Sequence, residues 1–394
     1  MAILAVNAGS SSLKFSLYPL AGAEVLSQTL SGNIEGLEPG GAPEMRWSYQ
    51  GQSQTRVLNL GTEHVFANAL HSLRHLLADL PGLPKLVAVA HRVVHGGSKF
   101  RASVIVTDEV LAELTALNSL APLHQPHNLD GIRAFREAFT DLPQVACFDT
   151  AFHGTLPEVD FRFALPEALY EQGLRRYGFH GLSYQYVMGT LLKQSARASG
   201  RVLMAHLGNG ASLCAAREGK SISTTMGFSA LDGLMMGTRT GNLDAGVIMY
   251  LLEQGWDHDR LQKLLYKQSG LLGVSGVSAD MRRLCSDTSA GAKLALDMFA
   301  YRVVRESGAM IGCLQGLDVL GFSGGIGEND VALRAELGKR FAWLGVEIDP
   351  ELNAKAIRGV GMAIHAPNSK VEVWVVPTDE GVVAARDAAT LIGA

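Results

Sequence analysis

His91-Arg92-Val93-Val94-His95-Gly96-Gly97 sets a guanidinium and two imidazoles at the end of an apolar run, with two glycines behind them. A strand running out into that sequence turns Arg92 and Val94 to one face and puts a charge beside an apolar wall, which is unusual for a core strand. An edge arginine with a satisfied core histidine reads these residues equally well. Asp149 closes another short apolar run ahead of Phe152-His153, at the strand end where α/β sheets collect ligands. Tyr177-Gly178-Phe179-His180-Gly181 and Met236-Gly237-Thr238-Arg239-Thr240-Gly241 each carry one titratable or charged side chain among glycines. Three small-residue turns complete the set: Asn7 to Ser12 with Lys14 just beyond, Gly208 to Ser212, and Gly324 to Asn329. Backbone N–H groups and hydroxyls in such turns suit phosphate oxygens, and a nearby lysine adds charge. Each feature alone is more often structural. Two arginines, a histidine, two carboxylates and three glycine-rich cradles together form an inventory for phosphoryl transfer.

Two common nucleotide motifs fail. Gly219-Lys220-Ser221 resembles the end of a Walker loop, but Cys214 replaces the first glycine and the segment lies between strand-like runs, so it reads as a hairpin turn. Gly325-Ile326-Gly327-Glu328-Asn329-Asp330 has two of the three glycines of a dinucleotide fingerprint. What remains there is a strand, a glycine-rich loop and a helix N-terminus at Asn329/Asp330, a geometry that holds a phosphate or a ribose edge.

The elements that must position these groups follow from periodicity. Ile3 to Val6 and Leu13/Phe15/Leu17 read as two strands joined by the Asn7–Ser12 turn; Glu24 to Leu30 and Glu44 to Leu58 continue the alternation. Thr62 reads as the N-cap of a helix that runs to Pro81. Strands at 85–94 and 144–148 alternate with helices at 108–117 and 128–139, implying a parallel portion of sheet. The second half repeats the opening: an apolar run at 202–205, the turn Gly208 to Ser212, and a strand from Leu213. Helices at 184–192, 245–254, 259–267 and 293–314, a strand at 319–322, a last strand at 371–376 and a terminal helix after Thr378-Asp379-Glu380 complete the reading. Offset by 200 residues, Gly9-Ser10-Ser11-Ser12-Leu13 overlies Asn209-Gly210-Ala211-Ser212-Leu213. The chain therefore reads as two α/β halves, each opened by a phosphate-cradle-like hairpin, with room for a nucleotide and a second substrate between facing halves.

Composition limits the partners. A chain of 394 residues exceeds one ordinary core and suggests two or three domains. A net charge of -4 gives no reason to expect nucleic acid or an anionic membrane, so anion binding must be local. Cys147, Cys214, Cys285 and Cys313 are too scattered for a zinc site or a disulfide framework and read as buried free thiols of a reducing compartment. The start of the chain has no secretory pattern and no run is long enough to span a membrane, so a cytoplasmic location is the default expectation.

Val6-Asn7-Ala8-Gly9-Ser10-Ser11-Ser12-Leu13-Lys14 and His91 to Gly97 resemble the two signature stretches of the acetate kinase family. Phe148 to His153, Tyr177 to Gly181, His206 to Gly210, Gly237 to Arg239 and Gly324 to Asn329 match further family blocks in the right order. The resemblance implies an actin/sugar-kinase/heat-shock-ATPase type of fold: two duplicated actin-like (ribonuclease H-like) α/β domains with mixed sheets flanked by helices and an active-site cleft between them. The expected division is 1–150, joined by the C-terminal helix at about 381–394, and 151–380 as the nucleotide-binding domain. The implied reaction is reversible transfer of the ATP γ-phosphoryl group to acetate, with Mg²⁺ (or Mn²⁺), in a homodimer. Arg92 and Arg239 would bind the substrate carboxylate and the moving phosphoryl group, His180 would donate to the transition state, and Asn7 and Glu380 would serve the metal. Lys14, Ser10, Ser12, His206, Leu207, Gly208, Asn209, Gly210, Asp280, Met281, Arg282, Gly325, Ile326, Gly327, Glu328 and Asn329 would hold the nucleotide; Val94, Leu123 and Phe179 would wall the alkyl pocket. A carboxylate nucleophile is already ionised near neutral pH, its pKa being about 4 to 5 by analogy with side-chain carboxyls, so it needs no general base. Asp149 is therefore expected to orient an arginine or a metal-bound water.

The sequence departs from the family pattern at four places: Ala230 and Ala245 stand where Pro is usual, Asn242 for Asp, and Gly381 for a second Glu. Ala230 enlarges the alkyl pocket and favours propionate as the second substrate. A sugar or glycerol kinase of the same fold would need Asp149 as a base and a polar pocket, against which Val94, Leu123 and Phe179 argue. An ATP-driven conformational module would leave Arg92 and Arg239 without a substrate.

Overall fold

Alternating apolar and polar side chains build the first two strands, β1 (Ala2–Ala8) and β2 (Ser12–Ala21), an antiparallel pair in which Asn7 lies opposite Lys14. The computed structural model describes residues 1–121 and 124–394. It divides into two compact units, Met1–Ala151 with Asp379–Ala394, and Phe152–Thr378.

In the first unit, β3 (Glu24–Val25), β4 (Leu30–Glu35), β5 (Glu44–Tyr49) and β6 (Gln52–Val57) extend the meander, and β7 (Leu86–Val93), β8 (Val104–Ile105) and β9 (Gln144–Phe148) complete the sheet. Among the described residues its order is β6-β5-β4-β2-β1-β7-β9-β8, with β3 paired to β2. The inner neighbours β1, β7 and β9 run parallel. Leu70 and Leu73 of the helix Val65–Asp79 and Phe135 of the helix Gln125–Ala138 are buried with Leu4, Val6, Leu13 and Phe15 in one core cluster. Each fully buried side chain of this size contributes about 1.5–3 kcal/mol of transfer free energy.

The second unit repeats the inner pattern. Its strands are β10 (Arg201–Leu207), β11 (Ala211–Arg217), β12 (Lys220–Thr224), β13 (Val319–Ser323), β14 (Met362–Ala363) and β15 (Glu372–Val375), in the order β12-β11-β10-β13-β15-β14. As in the first unit, an antiparallel hairpin is followed by two parallel neighbours and closed by a short antiparallel strand. The second hairpin turn is one residue tighter: Leu207 pairs with Ala211, whereas Ala8 pairs with Leu13. Tyr184, Val187, Met188 and Leu191 of the helix Gly181–Gln194 pack on Val202, Met204 and Val319.

Several expectations are corrected. The run 44–58 is two strands, because Gln50 and Gly51 both adopt positive φ and turn the chain back. Leu30 begins a strand rather than ending one. Thr62 is not an N-cap: the helix starts at Val65, after His64 in the left-handed region, with no side-chain cap. The stretch Gly324–Asn329 is itself a helix, and Asp330, whose Oδ1 accepts the Leu333 N–H, caps a second one at Val331–Arg340. β7 lies between β1 and β9, so Arg92 is not an edge residue. Cys147 and Cys214 are buried, but Cys285 and Cys313 are exposed; all four thiols are free. The hairpin reading of Gly219-Lys220-Ser221 holds, with Glu218 and Gly219 at positive φ between β11 and β12.

Candidate active site

In the first unit the parallel pairing of β7 with β9 sets Arg92 opposite Cys147 and Val93 opposite Phe148, which carries Asp149 to the arginine. Arg92 Nε donates to Asp149 Oδ1 at 2.9 Å and Nη2 to Oδ2 at 2.6 Å, a bidentate pair. Glu380 Oε2 lies 3.5 Å from Arg92 Nε. Burial alone would lower the guanidinium pKa, but the charges of Asp149 and Glu380 and the bonds to Asp149 outweigh it and push the pKa up. Arg92 is thus cationic at every working pH.

Side chains that periodicity did not single out hold this end of the sheet. Asn128 accepts from Val94 N at 3.0 Å and donates to Ala8 O at 2.7 Å, tying β7 to the opening hairpin. Gln125 accepts from His95 N and donates to His95 O, while Thr150 Oγ1 accepts from Gly96 N. Both amides sit buried at the start of the helix Gln125–Ala138, and buried amides on an amphipathic helix were the available signal. Burial lowers the pKa of His91 and of His95 to about 4, so both imidazoles stay neutral near pH 7. Val94 is buried, Ser10 is exposed in the turn, Ser12 half-buried, and Lys14 exposed opposite Asn7. Leu123 lies outside the described residues.

Gly381 is explained by Tyr18. The buried Tyr18 hydroxyl donates to Asp379 Oδ1 at 2.6 Å, and the same oxygen accepts from Val382 N at 3.0 Å to cap the terminal helix Glu380–Ile392. A Cβ at 381 would collide with Tyr18 Oη and stand 3.0 Å from Cζ. Restoring the more usual residue with Gly381→Glu is therefore expected to cost about 1–3 kcal/mol of stability by overpacking, and Tyr18→Leu in the same chain to recover most of it. Urea unfolding of the single and double variants checks this; an unperturbed Gly381→Glu midpoint would mean that Tyr18 does not fix the residue choice.

In the second unit, His180 adopts a left-handed backbone (φ 59°) immediately before the helix Gly181–Gln194, a conformation that costs free energy in a non-glycine residue and clusters at functional positions. His180 Nδ1 shares a 2.8 Å hydrogen bond with Ser212 Oγ, which also meets Tyr184 Oη at 2.5 Å. The His180 ring stacks on His206 at 4.2 Å, and His206 Nδ1 shares a bond with Ser183 Oγ. Gly210 lets the imidazole approach: a Cβ there would stand 3.3 Å from His180 Nε2 and 3.9 Å from Arg239 Nη1. Arg239 Nη1 donates to Ala230 O at 2.9 Å. His153 is a satisfied core histidine, bonded to Ser221 Oγ and to the carbonyl of buried Phe179, and burial lowers its pKa to about 4. It anchors the residue that precedes His180.

A cavity of about 1030 Å³ in this unit is lined by Gly208, Asn209, Asp280, Met281, Arg282, Gly325, Ile326 and Asn329, with Ala279, Cys285, Asp330, Val331 and Arg358. Asp280 caps the helix Met281–Ser286 and pairs with Arg282, whose hydrogen bonds hold the Asp280 carboxyl down at about 2. Leu207 is buried in β10. Gly327 and Glu328 lie off the cavity lining: Gly327 O accepts from the fully buried Arg334, and Glu328 Oε1 accepts from Gly324 N and Thr378 N. Burial pushes the Glu328 carboxyl pKa up, partly offset by those two N–H bonds.

Asn7 and Glu380 offer hard oxygen donors, and both side chains are only half-buried. Among the described residues no group of three or more His, Cys, Asp or Glu could hold a metal. An amide oxygen and a carboxylate are the kinds of donor accepted by a cation that completes its shell with phosphate oxygens and water, as Mg²⁺ does. No helix among the described residues is long and apolar enough to cross a membrane.

The family model described as "Acetokinase family" matches residues 2–386. An acetate kinase of Rhodopseudomonas palustris is 49% identical over 392 residues, covering 98% of this chain and 96% of that protein. An acetate kinase of Bacillus subtilis is 41% identical, with 99% of each chain covered. Among solved structures, a propionate kinase from Francisella tularensis superposes with a TM-score of 0.90 at 36% identity over 98% of each chain. The Porphyromonas gingivalis acetate kinase gives 0.89, also at 36% identity, over 99% of each.

Proposed function

The chain belongs to the Acetokinase family, and from that premise we propose that it moves the γ-phosphoryl group of ATP reversibly onto the carboxylate of acetate, giving acetyl phosphate and ADP. The observation that carries this reading is Arg92, held bidentately by buried Asp149 at the ends of two parallel strands. An anion placed there meets a permanent cation of fixed orientation.

Phosphoryl transfer asks a protein for positioning and charge neutralisation more than for covalent chemistry. Arg92 and Arg239 bind the substrate carboxylate and the equatorial oxygens of the moving group. His180, oriented through Nδ1 by Ser212, donates from Nε2. Acetate arrives ionised, so no step requires a base; Asp149 has both oxygens engaged by Arg92 and positions that residue. The nucleotide occupies the cavity lined by Gly208 and Asn209, by Asp280, Met281 and Arg282, and by Gly325, Ile326 and Asn329; Ser10, Ser12 and Lys14 are assigned to phosphate. Mg²⁺, or Mn²⁺ in its place, would be held by Asn7 and Glu380 and would neutralise β- and γ-phosphate charge. Val94, Phe179 and Ala230 are assigned to the substrate's alkyl group. We also assign a homodimer: the helix Ala245–Glu253 has no buried residue and leaves Val247, Met249, Tyr250 and Leu252 exposed, an apolar face suited to a second copy. Free thiols and a need for ATP suit a cytoplasmic setting.

Ala230 favours propionate as the second substrate. Its carbonyl is bound by Arg239, and an alanine there lacks the two outer ring carbons of a proline near the alkyl group. ADP formation measured with acetate, propionate, butyrate and glycerol tests both readings. The expected order of kcat/KM is acetate, propionate, butyrate, with no turnover on glycerol; Ala230→Pro should widen the acetate-to-propionate ratio several-fold. Glycerol as the best acceptor would overturn the carboxylate reading, and an unchanged ratio would remove Ala230 from the specificity argument.

A further inference from the structure

The helix Val65–Asp79 carries a pair of side chains that phosphoryl transfer does not use. Its positions Ala69, Leu70, Leu73 and Leu76 are buried in the first unit's core. His71 and His75 stand one turn apart on the exposed side. Their Nε2 atoms share a hydrogen bond of 2.8 Å, with the rings edge to face at a centroid distance of 4.4 Å, and an ion binding both nitrogens would displace the shared proton. Asn68, Ser72 and Arg74 beside them are turned elsewhere. Asn68 Nδ2 donates to Leu60 O and Glu63 O, Ser72 Oγ donates to Asn68 O, and Arg74 lies over the Phe139 ring.

We propose that His71 and His75 form a two-histidine site for a divalent transition-metal ion of the copper and nickel class. Imidazole nitrogens bind such ions at about 2.0–2.1 Å. Two bonds of that length at a right angle separate the nitrogens by about 2.9 Å, whereas a tetrahedral angle separates them by about 3.3 Å. The two nitrogens, now 2.8 Å apart in their hydrogen bond, need to separate by only about 0.1 Å to occupy adjacent corners of a square-planar or tetragonal shell, the arrangement that Cu²⁺ and Ni²⁺ take. Cu²⁺ is the favoured occupant because its affinity for nitrogen ligands is the highest of the series. The remaining corners go to water. Both donors are nitrogen, so the hard Mg²⁺ that phosphate chemistry uses is not a competitor.

The helix holds both imidazoles on one face before the ion arrives, so little ordering remains for binding to cost. The unfolded chain lacks that arrangement, and the ion therefore stabilises the fold by mass action while leaving the phosphoryl-transfer site untouched. Exposed Cys285 and Cys313 are the alternative ligands that a test must separate.

Cu²⁺ added below one equivalent to the full chain, followed by electron paramagnetic resonance and thermal unfolding, makes that separation. The expected spectrum is tetragonal with hyperfine splitting from two imidazole nitrogens, and the melting temperature rises with Cu²⁺. His71→Gln and His75→Gln, both at exposed positions, should each weaken binding at least about tenfold and abolish the rise, with turnover on Mg²⁺-ATP and acetate unchanged. A sulfur-ligated spectrum, or equal affinity in wild type and both variants, would overturn the site. Turnover is read separately, so the failure of either reading is visible without the other.

Discussion

Arg92→Ala is expected to lower kcat by roughly 10³ or more, the size of effect that arginine contacts to a transferring phosphoryl group contribute. Two causes add. The substrate carboxylate and the phosphoryl oxygens lose a fixed cation, and the buried Asp149 carboxylate loses the two bonds of 2.9 and 2.6 Å that Arg92 supplied. The second cause also destabilises the first unit by up to several kcal/mol, because breaking a buried pair from one side leaves the other charge poorly compensated. Arg92→Lys separates the two. It keeps a charge near Asp149 but loses the planar fork, so stability should largely return while kcat stays at least about tenfold low. Turnover and urea unfolding on both variants check this. Near-normal kcat in Arg92→Ala would remove Arg92 from the reaction.

Arg239→Ala should show a loss of kcat of similar size, roughly 10³, without the stability cost. The loop around Arg239 is held by its backbone: Met236 N bonds to Arg239 O, Gly237 N to Asn209 O, Thr240 N to Leu265 O and Leu271 N to Met236 O. The guanidinium adds a bond to Ala230 O, which orients it beside His180 and Gly210. Removing it should leave the melting temperature within a few degrees of wild type while turnover collapses. A variant that keeps kcat but melts early would make Arg239 a structural residue.

The two cradle hairpins were legible because side-chain alternation is a local signal and each turn is only a few residues long. The 200-residue repeat marked the second one, and the matching strand order in the two sheets is its structural expression. The Arg92–Asp149 pair was not legible from spacing. The residues lie 57 positions apart and meet only because β7 and β9 pair in parallel at one register, which no local pattern reports. The resemblance named both residues; their pairing came from the fold. Gln125 and Asn128 were missed because polar residues at a helix start look like ordinary surface, and only burial exposes their work on the His95 loop. The sequence Gly324–Asn329 reads as a loop because glycine disfavours helices, yet it folds as a helix. It forms where Gly324 takes φ 74° and its N–H finds the Glu328 carboxylate. Gly381 reads in the sequence as a lost carboxylate; in the fold Tyr18 fills its place.

In the proposed mechanism a carboxylate attacks the γ-phosphorus of ATP directly, with charge and orientation supplied by the chain. Trapping with hydroxylamine tests it most directly: acyl phosphate becomes hydroxamate, counted beside the ADP released with Mg²⁺-ATP and acetate. One hydroxamate per ADP is expected, and no ADP above background when acetate is withheld. ADP and inorganic phosphate appearing without hydroxamate, at a rate indifferent to acetate, would contradict it.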